Sequence, residues 1–370
     1  MRQLLWGFLS LLFFCTACDK SDETRIVEHP DYNLIPYAEY DYTLMSKNQD
    51  LSEFGSDLPR QVEILARFLE SPNQIEATPV VLRNSWGAKA VSVDERLILL
   101  HIASDQLLEY DLSDSSITET APFGRGPGDI AYANDLIKHN NKILLPRDDH
   151  KITVFDCDNE PCEYKISIPT DVSAKSLAVM NNDFAVMGTR YDGQIEKNIT
   201  IYTAEGESVH SFGEYYQTND FYLKNLLMQG TIRSSDLLNY YLIAYNRLPF
   251  LFIFNDDGDL IHKMRLETYN QTIHEYDTIS RRVTTTPKGG ISDLFQVDDT
   301  NFVISVTSYG NSSYDYDREV SFYLINLTEQ TSYYIGTHHH QGDGNISIQL
   351  TDLGVVVIVG GEVNLFRNRN

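Results

Sequence analysis

One pattern recurs six times along this chain and leaves few folds open. An aliphatic strand is followed by a tight polar turn, a second aliphatic strand, a variable loop, a third strand ending in Asp or Asn, and a hairpin into a fourth. The units begin near residues 90, 135, 176, 231, 291 and 345. The sixth holds only three strands, Ile346 to Leu350, Val355 to Val359 and Val363 to Phe366, while an orphan strand lies upstream at Thr78 to Leu82. Units of this length that cannot bury both faces alone stack on their neighbours, and four-stranded units stacked around an axis make a propeller. The expected fold is therefore all-β, a six-bladed β-propeller over residues 75–370. The N-terminal strand becomes the outer strand of the last blade and so closes the ring, leaving no large open sheet to template aggregation.

Loop lengths divide the two rims. The first and third turns of each unit are short, as at Asp94-Glu95-Arg96, Asn140-Asn141 and Asp298-Asp299-Thr300. The second turns and the connections between units are long, as at 190–197, 213–230, 267–290, 308–319 and 336–344. Both long classes leave a four-stranded blade on the same rim, so one face is trimmed and the other elaborated, and elaborated loops on a rigid scaffold carry binding. The elaborated rim gathers Arg125, Arg147, Asp148, His150, Arg190, Asp192, Tyr215, Tyr216, Tyr222, Arg247, Tyr309, Tyr314, Tyr316 and Arg318. Tyr and Arg dominate binding hot spots, and Tyr also suits sugar rings. Arginines clustered on one rim of a chain of formal charge -24 point to an anionic or mixed-polarity ligand. That same net charge disfavours nucleic acid as a partner.

The N-terminus fixes the compartment. Arg2 precedes a short apolar run, Leu4 to Phe14, too short to span a bilayer, which ends in Cys15-Thr16-Ala17-Cys18. Small residues before a cysteine resemble the lipobox of a bacterial lipoprotein, which implies a signal peptide over 1–17 and lipid on Cys18. The acidic run after Cys18 is similar to the surface-export signal of Bacteroidetes lipoproteins. Residues 18–74 read as a tether and an N-terminal extension. Within it, Asp57-Leu58-Pro59 reads as a helix start with an Asp cap, and Val62, Leu65 and Leu69 as the buried side of a short helix across one end of the propeller.

The turn Phe123-Gly-Arg-Gly-Pro-Gly-Asp129 packs three glycines and a proline into six positions, the composition of a rigid turn. It lacks Gly-Lys-Ser/Thr and precedes a strand, so it is no phosphate cradle. This turn, with Asp135-Leu136-Ile137 and the runs Lys142 to Pro146 and Lys151 to Asp156, resembles the six-bladed propeller lipoproteins of Bacteroidetes within the NHL and TolB-like superfamily. The resemblance implies an outer-membrane lipoprotein, periplasmic or surface-exposed, touching the membrane through its lipid alone. The function expected is a monomeric binding module, without cofactor, that engages an envelope protein, peptide or glycan on the long-loop face. The alternative is a metal-dependent hydrolase or lyase with its site in the central channel, as in some relatives of these propellers.

Other clusters carry less. His338-His339-His340 with Asp343 is the densest set of metal-ligand types, but the three histidines are adjacent in one loop and at most two can face one ion; His338, His340 and Asp343 are its candidates. Asn255 to Asp259 is a hairpin turn, since a calcium loop would place Gly and Glu where Leu260 and Leu266 stand. Cys157 and Cys162 flank a hairpin and read as a local disulfide in an oxidising compartment.

Overall fold

The computed structural model describes residues 24–27, 35–55, 57–71, 76–81, 88–102, 105–189, 197–214, 216–217, 221–267, 273–277, 282–286, 289–309, 318–340, 346–359 and 362–367. The chain runs through β1 (Thr24–Val27), β2 (Thr43–Met45), α1 (Arg60–Glu70) and β3 (Glu76–Val81) before the repeats begin. Blade one is β4 to β7 (Ala88–Val93, Arg96–His101, Gln106–Asp111, Ile117–Ala121) and blade two is β8 to β11 (Ile137–His139, Lys142–Arg147, Lys151–Asp156, Glu163–Pro169). Blade three is β12 to β15 (Ser173–Met180, Asp183–Thr189, Lys197–Tyr202, Ser208–Glu214). Blade four is β16 to β19 (Gly230–Ser235, Tyr240–Tyr245, Phe250–Asn255, Leu260–Leu266). Helix α2 (Phe221–Leu227) precedes blade four, and a hairpin, β20 (Ile273–Asp277) and β21 (Arg282–Thr286), follows it. Blade five is β22 to β25 (Gly289–Gln296, Asn301–Tyr309, Arg318–Asn326, Thr331–His340), and β26 to β28 (Ile346–Thr351, Gly354–Val359, Glu362–Arg367) begin blade six.

Each blade is an antiparallel meander, and β3 pairs with β28, Glu76 opposite Arg367 and Val81 opposite Glu362. The fold is a six-bladed β-propeller closed by its N-terminal strand. Closure joins two ends of the chain, so neither β28 nor β3 presents a bare edge to the other.

The inner strands are apolar on both faces because each blade is covered on both sides, whereas the outer strands β7, β11 and β15 carry exposed stretches. Side chains alternate along a strand. In β5, Leu97 and Leu99 therefore pack toward blade six with Val356 and Ile358, while Ile98 and Leu100 pack toward blade two with Ile143 and Leu145. The core is thus six apolar layers, one per blade interface, rather than one central cluster.

The N-terminal extension is built into the disc more deeply than a tether. β1 pairs with β20, and β2 adds a fifth, parallel strand to the outer edge of blade four. Helix α1 packs on the layer between blades five and six, burying Val62, Ile64, Leu65 and Phe68 with Phe322, Val355 and Val357, and its Gln61 donates to Asp352 in the β26–β27 turn. Phe68 is buried with Val62 and Leu65, Leu69 packs against the same cluster partly buried, and Pro59, not Asp57, sits at the N-cap and makes no side-chain cap bond. The backbone oxygen of Pro59 accepts from Val62 and Glu63, which starts the first turn later in the chain than an Asp57 cap would.

Candidate functional site

The first strand of every blade lines the axis, and each contributes one polar side chain to a ring: Lys89, Asp135 (just before β8), Ser176, Arg233, Asp293 and Gln349. Lys89 Nζ lies 2.5 Å from Asp293 Oδ2 and 3.8 Å from Asp135 Oδ1. Arg233 Nη1 donates to Asp135 Oδ2 at 2.9 Å, and Ser176 Oγ donates to the same oxygen at 2.6 Å. Gln349 Nε2 donates to Asp293 Oδ2 at 3.2 Å. The order around the axis is cation, anion, neutral, and then the same again, so opposite blades match. The match extends to the backbone: Asp135 accepts from Leu136 N–H at 2.9 Å and Asp293 from Leu294 N–H at 3.0 Å. Burial pushes the Asp135 carboxyl up, but the Arg233 guanidinium and the Lys89 ammonium outweigh it and hold Asp135 below the usual carboxylate range.

This ring plugs the channel and forms the floor of a cavity of about 390 Å³ that opens on the short-turn rim. Lys138 and Asp352 form an ion pair at 2.6 Å beside it, and Asp298, Asp299 and His139 complete the mouth. Burial pushes the His139 imidazole down and the Asp236 carboxyl up, and each partly corrects the other. This axial concavity opens on the trimmed face.

The axial donor set does not fit a divalent metal. Among the described residues of the ring, carboxylates come from two blades, and a cation lies within 2.9 Å of each. Among the described residues no group of three His, Cys, Asp or Glu side chains is placed to hold an ion. The histidine run is not a loop but the end of β25, on the outer strand of blade five. Alternation puts His339 beside Glu319 at 3.3 Å and stacks His338 on Phe68. His340 pairs in register with Arg318, and Asp343 lies outside the described residues.

On the elaborated rim the expected residues divide sharply. Arg147 is 1% exposed and structural: its guanidinium grips Asp149 through two bonds of 2.8 Å and also donates to Asp129 O and Thr153. Tyr216 is 3% exposed, buried in the layer between blades three and four. Neither can meet a ligand. Asp148 is a hub that accepts from Lys175 at 2.5 Å, Ser173 at 2.8 Å and Asn134 at 2.9 Å, tying blade two to blade three. Arg247 donates to Leu226 O, which fixes α2 on the rim. His150 and Arg318 are half-buried, and Tyr309 ends β23 opposite Arg318. Tyr222 lies in α2. Cys18, Arg190, Asp192, Tyr215, Tyr314 and Tyr316 lie outside the described residues.

Arg125 remains as an exposed cation. It caps the Tyr132 ring at 5.5 Å and donates to the Tyr132 hydroxyl at 3.3 Å, while Phe123 stands 60% exposed at the start of the same turn. The turn is pinned from within: Asp129 Oδ2 accepts from Gly126 N–H at 3.0 Å, and Gly124 N–H donates to Ile130 O. A Cβ on Gly124 would meet Asp129 Oδ2 at 2.3 Å, so any other residue there would displace the carboxylate that pins the turn. On the opposite side of blade two, Cys157 and Cys162 are joined as a disulfide. The Cys157 carbonyl accepts from Arg96 at 2.8 Å and Cys162 N–H donates to Glu109 at 2.9 Å, so a buried Arg96–Glu109 pair of blade one holds that hairpin.

The ring was missed in the sequence, though a signal exists. Lys89, Asp135, Ser176 and Asp293 each stand five residues before the Asp or Asn that opens the next turn (Asp94, Asn140, Asn181, Asp298). Arg233 and Gln349 break the spacing.

No family model matches this sequence, and no curated protein matches it. Solved structures do. One is a "Putative exported protein" from Bacteroides fragilis, 7% identical, with a TM-score of 0.52 over 81% of this chain and 97% of that one. Another is a member of the DUF4221 family from Bacteroides vulgatus, 8% identical, with a TM-score of 0.50 over 80% of this chain and 99% of that one. At such identities the likeness is one of fold.

Proposed function

We propose that this protein is a lipid-anchored binding module of the cell envelope, which receives a protein, peptide or glycan on its long-loop face. The observation that carries the reading is the Phe123–Asp129 turn. It holds an exposed Phe123 and the Arg125–Tyr132 pair on a backbone that is already rigid, so little ordering entropy opposes binding. Three further points support it. Asp135 and Asp293 are committed to cations, which leaves the axis without an open set of metal donors. The fold neighbour from Bacteroides fragilis carries the description of an exported protein. Cys18 follows a lipobox-like tripeptide in a chain with no other apolar stretch fit to anchor it. In this reading Cys18 bears the lipid, the body is monomeric, and no nucleic acid is bound.

The test is a glycan array and a peptide library probed with the wild-type protein and with the double variant Phe123→Ala, Arg125→Ala. Ligands retained by the wild type and lost by the variant support the reading. Ligands held equally by both would move the site off this turn. Metabolic labelling with a radiolabelled fatty acid, with and without Cys18→Ala, tests the anchor separately.

A further inference from the structure

We infer that the axial cavity on the short-turn rim is a second binding site, for a small neutral sugar. Its volume of about 390 Å³ falls within the ~300–1,000 Å³ of small-molecule sites and has room for about one or two sugar rings. It is blind, since the ring of Lys89, Asp135, Ser176, Arg233, Asp293 and Gln349 closes it below. It is also separate from the Phe123–Asp129 turn, which lies between β7 and β8 on the opposite rim.

Four runs of consecutive residues form its wall: 89–92 of β4, 136–140 around β8, 295–299 at the end of β22 and 349–352 at the end of β26. Successive side chains of a strand point to opposite faces. A cavity that touches every residue of such a run therefore meets the backbone edge, not one face of side chains. Each of the four is the terminal strand of its sheet, so among the described residues its inner edge has no strand beside it. An edge of this kind presents both N–H donors and C=O acceptors. Two of the donors are used locally: Asp352 N–H donates to Ser92 Oγ at 3.0 Å and Leu136 N–H to Asp135 at 2.9 Å.

The charges that line the cavity cancel. Lys89, Lys138 and Arg233 stand against Asp298, Asp299 and Asp352. Each cation also has a carboxylate of its own: Asp293 at 2.5 Å, Asp352 at 2.6 Å and Asp135 at 2.9 Å. A ligand of either sign would meet its like, an anion at the acids of the mouth and a cation at Lys89 and Arg233 on the floor. The lining thus offers hydrogen bonds without net charge. Lys89 has three N–H donors, of which Asp293 takes one, and 18% of its side chain is exposed. A sugar hydroxyl both donates and accepts, which suits a wall that does the same. A nucleobase would ask for aromatic faces, and among the described lining residues Phe295, only 7% exposed, brings the one phenyl ring. Ion pairs hold the floor and sheets hold the wall, so little ordering entropy opposes binding.

Calorimetric titration of the purified protein tests this with the methyl glycosides of glucose, galactose, mannose and N-acetylglucosamine, and with lactose and cellobiose. For each sugar that binds, the uronate and the 2-amino sugar of the same configuration serve as charged counterparts. At least one neutral sugar is expected to bind saturably. Both counterparts should bind about tenfold more weakly or worse, since each brings a like charge to the mouth or the floor. Gln349→Leu removes an amide from the floor and leaves the Lys89–Asp293 and Arg233–Asp135 pairs in place; it should weaken the neutral sugar about three- to tenfold. Hydrogen–deuterium exchange of the wild type should show protection by the sugar at β4, β8, β22 and β26. Should Gln349→Leu fail to fold, that mapping carries the test. The inference falls if none of the neutral sugars binds, if either counterpart matches the neutral sugar, if Gln349→Leu folds and leaves the affinity unchanged, or if protection gathers at the Phe123–Asp129 turn instead.

Discussion

Replacing Asp135 by Asn keeps the shape of the axial ring and removes one of its two negative charges. In the wild type Asp135 answers Arg233 at 2.9 Å and Lys89 at 3.8 Å with 3% of its side chain exposed. Removing one partner of a buried pair costs about 3–5 kcal/mol, because the other charge stays buried and unmatched. Here Arg233 and Lys89 keep 12% and 18% exposure, so water softens the loss and the lower end, about 3 kcal/mol, is expected. For a large domain each kcal/mol moves Tm by about 2–4 °C, so Asp135→Asn should melt about 6–12 °C lower at neutral pH. The pH dependence has a definite sign. The folded Asp135 is held below its unfolded pKa, so its contribution is complete above the unfolded value and is lost as pH falls through the folded one. The gap between wild type and Asp135→Asn should be constant from neutral pH to about 5 and close below about 4. Urea unfolding across that range measures it, and a double-mutant cycle with Arg233→Met isolates the pair. A gap that fails to narrow in acid, or a cycle that is additive to within about 0.5 kcal/mol, would refute the ring as a coupled unit.

Two further changes probe other parts of the assembly. Phe68→Ala empties the wedge between blades five and six and should cost about 3–5 kcal/mol in urea unfolding, with limited proteolysis then cutting between α1 and β3. Reducing the Cys157–Cys162 bond opens a loop of sequence separation 5, so Cys157→Ala, Cys162→Ala should lose only about 2 kcal/mol and keep the native circular dichroism spectrum.

The blade count, the order of the strands and the closing strand could all be read from the sequence because a strand covered on both faces must be apolar throughout. The run Leu97-Ile-Leu-Leu100 of β5 shows this, with all four residues buried. The exceptions arose where local pattern was overruled by a partner distant in the chain. Thr24–Val27 is only four residues long and becomes a strand by pairing with β20. The His338–His340 run reads as a polar loop, yet β24 offers it a complete edge, and the backbone pairs through to Arg318. Arg147 looked like a rim cation because loops are usually exposed, but Asp149, Asp129 O and Thr153 enclose it.

What the sequence determined by itself is the periodic part: six units, their turns and a ring that must close, all set by side-chain alternation within a few residues. What only the tertiary structure decided is how charge is arranged across the units. Lys89, Asp135, Ser176, Arg233, Asp293 and Gln349 lie tens of residues apart and become one network only when six strands converge on an axis. Lys263 looks like an ordinary outer-strand lysine until the N-terminal extension folds over it and removes the water. The solvation of an ion depends on everything around it, and no local pattern records that.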